Sequence, residues 1–209
     1  NHAMLAKLVP SQQAIIDHAY QTALTAIADG PTKSNGIAIA EKAVSAVLAR
    51  RANDGAAAGE SYRPHTSAGT YVPTVIPEAP QWRHRTPWLM TNPSQFRPGP
   101  PPDLGSEVWA RDYNEVKALG GRRSQQRTAE QTEIARFWEE VMPPIYHAIV
   151  RSVANTPGRD ITRNARLFAA VTQASDDALI AVFDAKYHYG FWRPLTAIRN
   201  GDIDGNDAT

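Results

Sequence analysis

The clearest hydrophobic pattern in the chain lies between residues 161 and 182. Apolar or small side chains recur there every three to four positions, as on one face of an α-helix. These positions are Ile161, Ala165, Phe168, Thr172, Ser175, Leu179 and Val182. The pattern predicts a long helix that Asp160 caps, and the same stripe continues to Lys186. A lysine on a core-facing stripe is costly unless an anion or a hydrogen-bonding partner meets it.

Two shorter helical patterns occupy the first 54 residues. The first predicted helix is capped by Ser11 and runs to about Asp29, where Gly30 and Pro31 follow. The second is capped by Asn35 and runs to about Ala52. Both are rich in alanine and joined by a short loop, so we expect an antiparallel pair with its apolar side chains inward.

Two further helices are predicted between residues 106 and 153. One spans about 106–119 and ends at Gly120 and Gly121. Thr128 and Gln131 form a capping box that starts the other. Its inward side chains are expected to be Ile134, Phe137, Trp138 and Val141, before a kink at Pro143-Pro144 and a continuation from Ile145 to Val153.

A proline-rich segment separates the first helical pair from the later helices. Ten of the 16 prolines fall between Pro64 and Pro102. Disordered linkers carry few aromatic residues, whereas this segment contains Tyr62, Tyr71, Trp82, Trp88, Phe96 and Trp109. We therefore predict an ordered, irregular wrap packed over a helical core by its aromatic side chains. Within it, we interpret Arg83-His84-Arg85 as a solvated loop rather than an anion site.

These elements predict an all-α domain of about five or six helices that carries a long proline-rich irregular wrap. The parts of this single domain, 1–209, are a helical pair at 5–54, the wrap at 55–127, core helices at 128–199 and an acidic loop at 200–209. The loop lacks the spacing of a calcium-binding loop, so we interpret it as solvated and predict no metal site.

Composition narrows the classes of function. The chain has 22 Lys and Arg against 21 Asp and Glu, a net charge of +1. This balance gives no electrostatic reason to expect a nucleic-acid partner. The chain contains no cysteine, so thiol and disulfide chemistry within it are excluded.

Two cations follow the long helical pattern, and they are the candidate chemistry. Arg193 stands seven residues after Lys186 and directly before Pro194, which disfavours helical geometry at Arg193. A guanidinium fork and an ammonium that converge suit a tetrahedral oxyanion such as phosphate or vanadate. In the alternative interpretation Lys186 reaches solvent, and Arg193 pairs with one of the acids Asp176, Asp177 and Asp184.

The segment from Lys186 to Pro194 has the form K-x6-R-P. It resembles the first signature of the superfamily that joins vanadium-dependent haloperoxidases to type 2 phosphatidic acid phosphatases and bacterial acid phosphatases. The Phe191-Trp192 pair directly before Arg193-Pro194 and the Leu-Thr-Ala-Ile-Arg run after them are most similar to the bacterial haloperoxidase branch. The resemblance implies a helical bundle in which Lys186 and Arg193 are catalytic residues that bind the oxygens of a vanadate cofactor, a site that phosphate can also occupy.

The resemblance covers about residues 62–209 and is incomplete. The family's second motif contains Ser-Gly-His, and its third has an Arg followed six positions later by a His; neither occurs in this chain. We therefore expect the 209 residues to be the N-terminal part of a longer protein, truncated or split near the acidic loop, and inactive alone. His188, two residues from Lys186, is a poor substitute because it points from a different helix face.

Three functions remain open. In the first, a vanadium-dependent haloperoxidase oxidises halide with hydrogen peroxide, and its partner is the missing C-terminal half. In the second, a phosphatase hydrolyses phosphate esters in the same pocket. In the third, a non-catalytic helical scaffold retains a degenerate motif. The family resemblance also implies a secreted or periplasmic protein, and a homodimer is a further expectation.

Overall fold

A computed structural model describes residues 1–77, 79–139 and 143–209, without the side chains of Pro143 and Pro144. The described residues form eight α-helices and no β-strand, which confirms the all-α prediction. The helices are α1 (His2–Leu8), α2 (Gln13–Thr25), α3 (Pro31–Arg51), α4 (Glu107–Gly120), α5 (Ala129–Phe137), α6 (Pro143–Ala154), α7 (Ile161–Tyr189) and α8 (Pro194–Arg199). Short 3-10 helices lie at Pro10–Gln12, Pro80–His84 and Gly201–Ile203. None of the described helices has the length and apolarity needed to cross a bilayer.

The chain divides into two compact units, 1–54 and 55–209. The boundary coincides with the predicted change from the helical pair to the wrap. Whether the 209 residues act as one domain stays a prediction. The first unit contains α1, α2 and α3, with α1 packed against the other two.

The predicted starts of the first two helices are wrong. Ser11 lies within the 3-10 turn, and α2 begins at Gln13. The helix α3 begins at Pro31, four residues before Asn35, because a proline is well tolerated at a first helical position, where its missing N–H needs no partner. The inward apolar faces are also wrong, since none of the three helices contains a buried side chain and Ile15 and Ile39 are both 69% exposed.

In the second unit, the wrap is ordered against α7, as predicted. Its aromatic rings contact α7 directly: Trp82 packs edge-on against Phe183 at 5.6 Å, and Tyr62 packs against Tyr187 at 5.2 Å. Phe96 is an exception, because it is 69% exposed.

Two neighbouring acids on α7, the buried Asp177 and the partly buried Asp176, accept hydrogen bonds from the wrap. The Asp177 carboxylate, only 4% exposed, accepts backbone N–H bonds from Trp88, Leu89 and Met90 at 2.6, 2.7 and 2.9 Å. Asp176 accepts the indole N–H of Trp88 at 2.7 Å and pairs with Arg85 at 3.1 Å. Three consecutive backbone donors on one carboxylate fix the path of the wrap, since a buried donor without a partner would be costly.

The face of α7 that the protein buries is not the predicted stripe. The buried residues are Asp177, Ile180, Asp184 and Tyr187, whereas Ile161 and Val182 are 87% and 61% exposed. The apolar period was misleading because acids with wrap partners occupy the buried face, and such partners lie far away in sequence. Lys186 is consequently half-buried rather than part of a core stripe.

Three predicted helix starts in this unit are confirmed, whereas α5 ends at Phe137, before the predicted Val141 and the kink. Ser106 caps α4, Thr128 and Gln131 form the capping box of α5, and Asp160 caps α7. The inward face predicted for α5 is wrong: Ile134, Phe137 and Trp138 are 52%, 72% and 59% exposed. The prediction for Val141 lies outside the described residues, and α6 begins at Pro143 and ends one residue beyond the predicted Val153.

A second aromatic cluster joins α4 to the segment around α8. Trp109 stacks on Trp192 at 5.8 Å and meets Phe191 edge-on at 5.5 Å, with Tyr113 and Ala197 buried beside them. The predicted solvated tail is wrong in one respect, because Asp204 is 8% exposed and accepts the Trp109 indole N–H at 2.9 Å. This cluster anchors the chain on both sides of Arg193.

Candidate functional site

The local sequence places Lys186 and Arg193 on either side of a sharp helix end. Gly190 ends α7 in the left-handed conformation, with φ of 53°, and its N–H bonds to the Lys186 carbonyl at 3.0 Å. Arg193 is extended, with ψ of 155°, and immediately precedes the first residue of α8. The chain therefore leaves the helix after Tyr189, as the glycine and proline predict.

A short stretch of the wrap pairs with this turn. Thr70 and Phe191 form an isolated antiparallel bridge. On its two sides the Tyr71 N–H bonds to the Gly190 carbonyl, and the Trp192 N–H bonds to the Gly69 carbonyl at 2.9 Å. This backbone pairing brings Tyr71, which is 3% exposed, to the point where α7 ends.

Both predicted cations contact the same tyrosine ring. The Lys186 ammonium lies 5.1 Å from the centre of the Tyr71 ring, and the Arg193 guanidinium carbon lies 5.5 Å from it. Arg193 Nη2 also donates a long hydrogen bond of 3.5 Å to the Tyr71 hydroxyl. Lys186 further lies 4.9 Å from the Tyr187 ring and 5.4 Å from the Phe183 ring. Such distances are those of cation–π contacts.

The alternative in which Arg193 pairs with an α7 acid is wrong. Asp176 pairs with Arg85, and Asp177 accepts three backbone donors. Asp184 is bound by Arg97. Within the described part of the chain no carboxylate lies within 4.0 Å of Arg193, and Arg193 is exposed.

Two tyrosines of this aromatic cluster, Tyr187 and Tyr62, resist ionisation. Burial raises the pKa of Tyr187 to about 12, with the nearby Tyr71 and Tyr62 hydroxyls as further causes, although the positive charge of Arg193 opposes the shift. Burial also raises the pKa of Tyr62. At neutral pH these phenols therefore contribute no negative charge against Lys186 and Arg193.

Lys186 borders a groove of about 260 Å³ that the wrap forms with the end of α7. The groove is lined by Pro98, Gly99, Pro101, Ala185, Lys186, Tyr189 and Phe191. The Tyr189 hydroxyl donates to the Pro98 carbonyl at 2.5 Å, which holds the proline run beside the helix. His188 is exposed and packs on the Tyr189 ring. None of its described contacts is with Lys186 or Arg193.

The cluster Arg83-His84-Arg85 is not a solvated loop, contrary to the prediction. Arg85 is largely buried against Asp176 and lies over the Trp82 ring at 4.9 Å. Arg83 donates to the backbone carbonyl of Tyr187 at 3.1 Å. The cluster therefore attaches the wrap to α7, and one attachment point is Tyr187, the residue that follows Lys186.

Sequence reasoning missed Tyr71 as a member of this site. It lies 122 positions before Arg193, and only its place among the wrap aromatics singled it out.

Among the described residues there is no group of three or more histidine and carboxylate side chains placed to hold a metal ion.

Comparison with known proteins bears on this arrangement. Residues 166–205, which include Lys186 and Arg193, match the family described as the VCPO second helical-bundle domain. The chain is also 28% identical over 160 residues to vanadium chloroperoxidase from Curvularia inaequalis. Both matches support the vanadium haloperoxidase superfamily for this chain. The bacterial branch within this superfamily stays a prediction.

The match to the fungal chloroperoxidase covers 66% of this chain and 26% of that protein. The chain thus spans about a quarter of the length of its relative within the superfamily. No solved structure matches the chain significantly. The matched family is described as a helical bundle, in agreement with the all-α structure of the described residues.

Proposed function

We propose that Lys186 and Arg193 bind a tetrahedral oxyanion, vanadate, and that the complete protein is a vanadium-dependent haloperoxidase. The observation that carries the proposal is the pair of cations that contact one tyrosine ring, with the three nearest α7 acids engaged by wrap groups. The similarity of residues 166–205 to a chloroperoxidase domain supports it.

The chemistry of the two side chains fits a vanadate ion. The Arg193 guanidinium presents paired N–H donors that match two oxygens of an oxyanion, and Lys186 supplies a compact charge with three donors. Within the described residues no carboxylate sits on Arg193, so an anion would not have to displace an ion pair there. Because its pKa is raised, the Tyr187 phenol places no negative charge beside the two cations at neutral pH.

In turnover, Lys186 and Arg193 would act through their positive charges, which the fold holds in place. Bound vanadate would supply the Lewis acid that activates hydrogen peroxide toward halide. Lys186 and Arg193 would hold the vanadate oxygens and stabilise the negative charge that they carry, and the half-buried position of Lys186 strengthens its electrostatic effect relative to bulk water.

A phosphatase that uses the same two cations is the second candidate. Phosphate has the same tetrahedral shape and suits the same donors. The alternatives differ in the bound ion and in the group that attacks it. A non-catalytic scaffold is the third candidate, since Ser-Gly-His and the Arg with a later His are absent from these 209 residues.

We propose that a further part of the same polypeptide completes the site. The chain spans about a quarter of its chloroperoxidase relative. In addition, α5 and α7 expose apolar side chains at Phe137, Ile161 and Val182, and further helices of a bundle would cover such positions. Intact mass spectrometry of the denatured, purified protein tests this partner: a second polypeptide carrying Ser-Gly-His supports it, and a single species of about 22.9 kDa with full turnover contradicts it.

Activity assays on the full polypeptide decide between the candidates. Vanadate-dependent bromide oxidation with hydrogen peroxide and hydrolysis of a phosphate monoester are measured side by side. Lys186→Ala and Arg193→Ala are each expected to lower the relevant activity by about 100-fold or more. Matched controls are Lys117→Ala, another lysine over a tyrosine ring, and Arg199→Ala on α8, which are expected to keep activity. Unchanged activity in both site variants would contradict the proposal.

A further inference from the structure

We propose that Tyr71 is a positioning residue of the oxyanion site, which holds Arg193 and Lys186 toward a shared anion before the anion arrives. The inference rests on the proposed function and extends it from the motif to the proline-rich wrap. Its basis is that one buried side chain contacts both charged groups, at 5.1 and 5.5 Å from its ring.

Tyr71 is itself held firmly. It is 3% exposed, its N–H bonds to the Gly190 carbonyl, and its own carbonyl accepts the Tyr62 hydroxyl at 3.0 Å. The ring packs edge-on against Tyr187 at 6.2 Å. These contacts anchor it from the backbone, from the wrap and from α7, so it can act as a fixed reference for side chains that are more mobile.

Arg193 needs such a reference more than Lys186 does. Arg193 is exposed, follows the end of α7, and carries a long side chain with considerable rotamer freedom. Holding that side chain before binding reduces the entropy lost when the anion binds, which raises affinity. The Tyr71 hydroxyl, 3.5 Å from Nη2, is suited to this role, because a hydroxyl accepts one N–H without pairing with the charge as a carboxylate would.

The ring adds a second effect that the hydroxyl does not provide. An aromatic face attracts a cation through its quadrupole without carrying net charge. Lys186 and Arg193 repel each other, and a shared ring offsets part of that repulsion in the absence of anion. Tyr71→Phe therefore tests the hydroxyl, and Tyr71→Leu tests the hydroxyl and ring together.

The experiment measures orthovanadate affinity and the NMR signal of the Arg193 side-chain Nε–H in the 209-residue chain. The signal is assigned by its loss in Arg193→Ala. The matched control is Tyr113→Phe, a buried tyrosine in the other aromatic cluster. We expect vanadate affinity to fall about threefold in Tyr71→Phe and about tenfold in Tyr71→Leu. The Arg193 signal should shift and exchange faster with solvent in both, and remain unchanged in Tyr113→Phe.

The outcomes separate this inference from the proposed function. If the unmodified chain binds vanadate while both Tyr71 variants keep its affinity and the Arg193 signal, the positioning role is overturned and the oxyanion site stands. If the unmodified chain does not bind vanadate, both are overturned. Should Tyr71→Leu fail to fold, Tyr71→Phe decides on its own, because it keeps the ring that packs in the core.

Discussion

Arg97 in the wrap binds the carboxylate of Asp184 on α7 at two points, with Nε–Oδ2 at 2.6 Å and Nη2–Oδ1 at 2.7 Å. The two residues are 87 positions apart. Asp184 is the acid nearest to Lys186 in sequence and is 6% exposed. The pair therefore satisfies a buried charge beside the candidate site and fastens the wrap to the helix that carries it.

Removing Arg97 is expected to destabilise the second unit. Arg97→Met keeps the length of the side chain but leaves the Asp184 carboxylate buried without its guanidinium. We expect a lower midpoint of urea unfolding than for the unmodified chain. Adding Asp184→Asn should recover part of the lost stability, because the uncompensated buried charge is then gone. If the stability losses of the two single variants simply add in the double variant, the two residues are not coupled.

Asp177→Asn should be among the most damaging single substitutions on α7. The carboxylate accepts three backbone N–H groups, and the amide replaces one acceptor oxygen with a donor that faces them. We expect the free energy of unfolding to fall by about 2–4 kcal/mol. Chemical denaturation measures it, with exposed Asp207→Asn as the control. A loss no larger than in the control would mean that the wrap is held elsewhere.

The buried acid Asp204 makes stability depend on pH in the acid range. Burial acts to raise the pKa of Asp204, but hydrogen bonds from Trp109, Asn206 and Thr209 outweigh it and lower the pKa below its ordinary 3.8. The unfolded chain then binds a proton more readily, so this contribution is full above pH 3.8 and is lost as pH falls through the lowered value. Unfolding curves of Asp204→Asn should show less acid dependence between pH 5 and 2 than those of the unmodified chain. If stability falls equally with pH in the variant and in the unmodified chain, Asp204 is not a source of the acid dependence.

Tyr187 makes a corresponding prediction at alkaline pH. Its pKa is raised by burial to about 12, against 10.0 ordinarily. The folded state therefore resists ionisation more than the unfolded state, and the contribution to stability is present below pH 10 and lost as pH rises through 12. Ultraviolet absorption should show fewer tyrosines titrating near pH 10 in the folded chain than in the unfolded chain, and Tyr187→Phe should reduce that difference by one. A Tyr187 that titrates with the exposed tyrosines would show that the ring cluster around Lys186 is open to water.

The parts of this structure that follow from local chemistry could be read from the sequence. Ser106, Thr128 and Asp160 each cap the predicted helix because a side-chain oxygen next to free N–H groups acts locally. Gly190 and Pro194 likewise place Arg193 outside the helix. The motif that joins Lys186 to Arg193 is short and contiguous, so it too was visible.

The parts that depend on distant contacts could not be read in this way. The buried face of α7 contains Asp177 and Asp184, which look like solvent-facing residues until their partners in the wrap are known. Tyr71 comes to the site through a bridge between residues 70 and 191, and nothing local to Tyr71 predicts it. The exposed apolar residues of α5 misled the prediction because periodicity reports that a face is apolar but not what covers it.

The most direct test of the account is vanadate binding by the 209-residue chain, followed by vanadium NMR at low ionic strength. We predict saturable binding at millimolar concentration or below, with inorganic phosphate competing for the same site. Lys186→Ala and Arg193→Ala should each weaken binding by about tenfold or more, and Lys117→Ala and Arg199→Ala should not. Binding that all four variants retain equally, or no binding by the unmodified chain, would contradict the claim that these two cations form an oxyanion site.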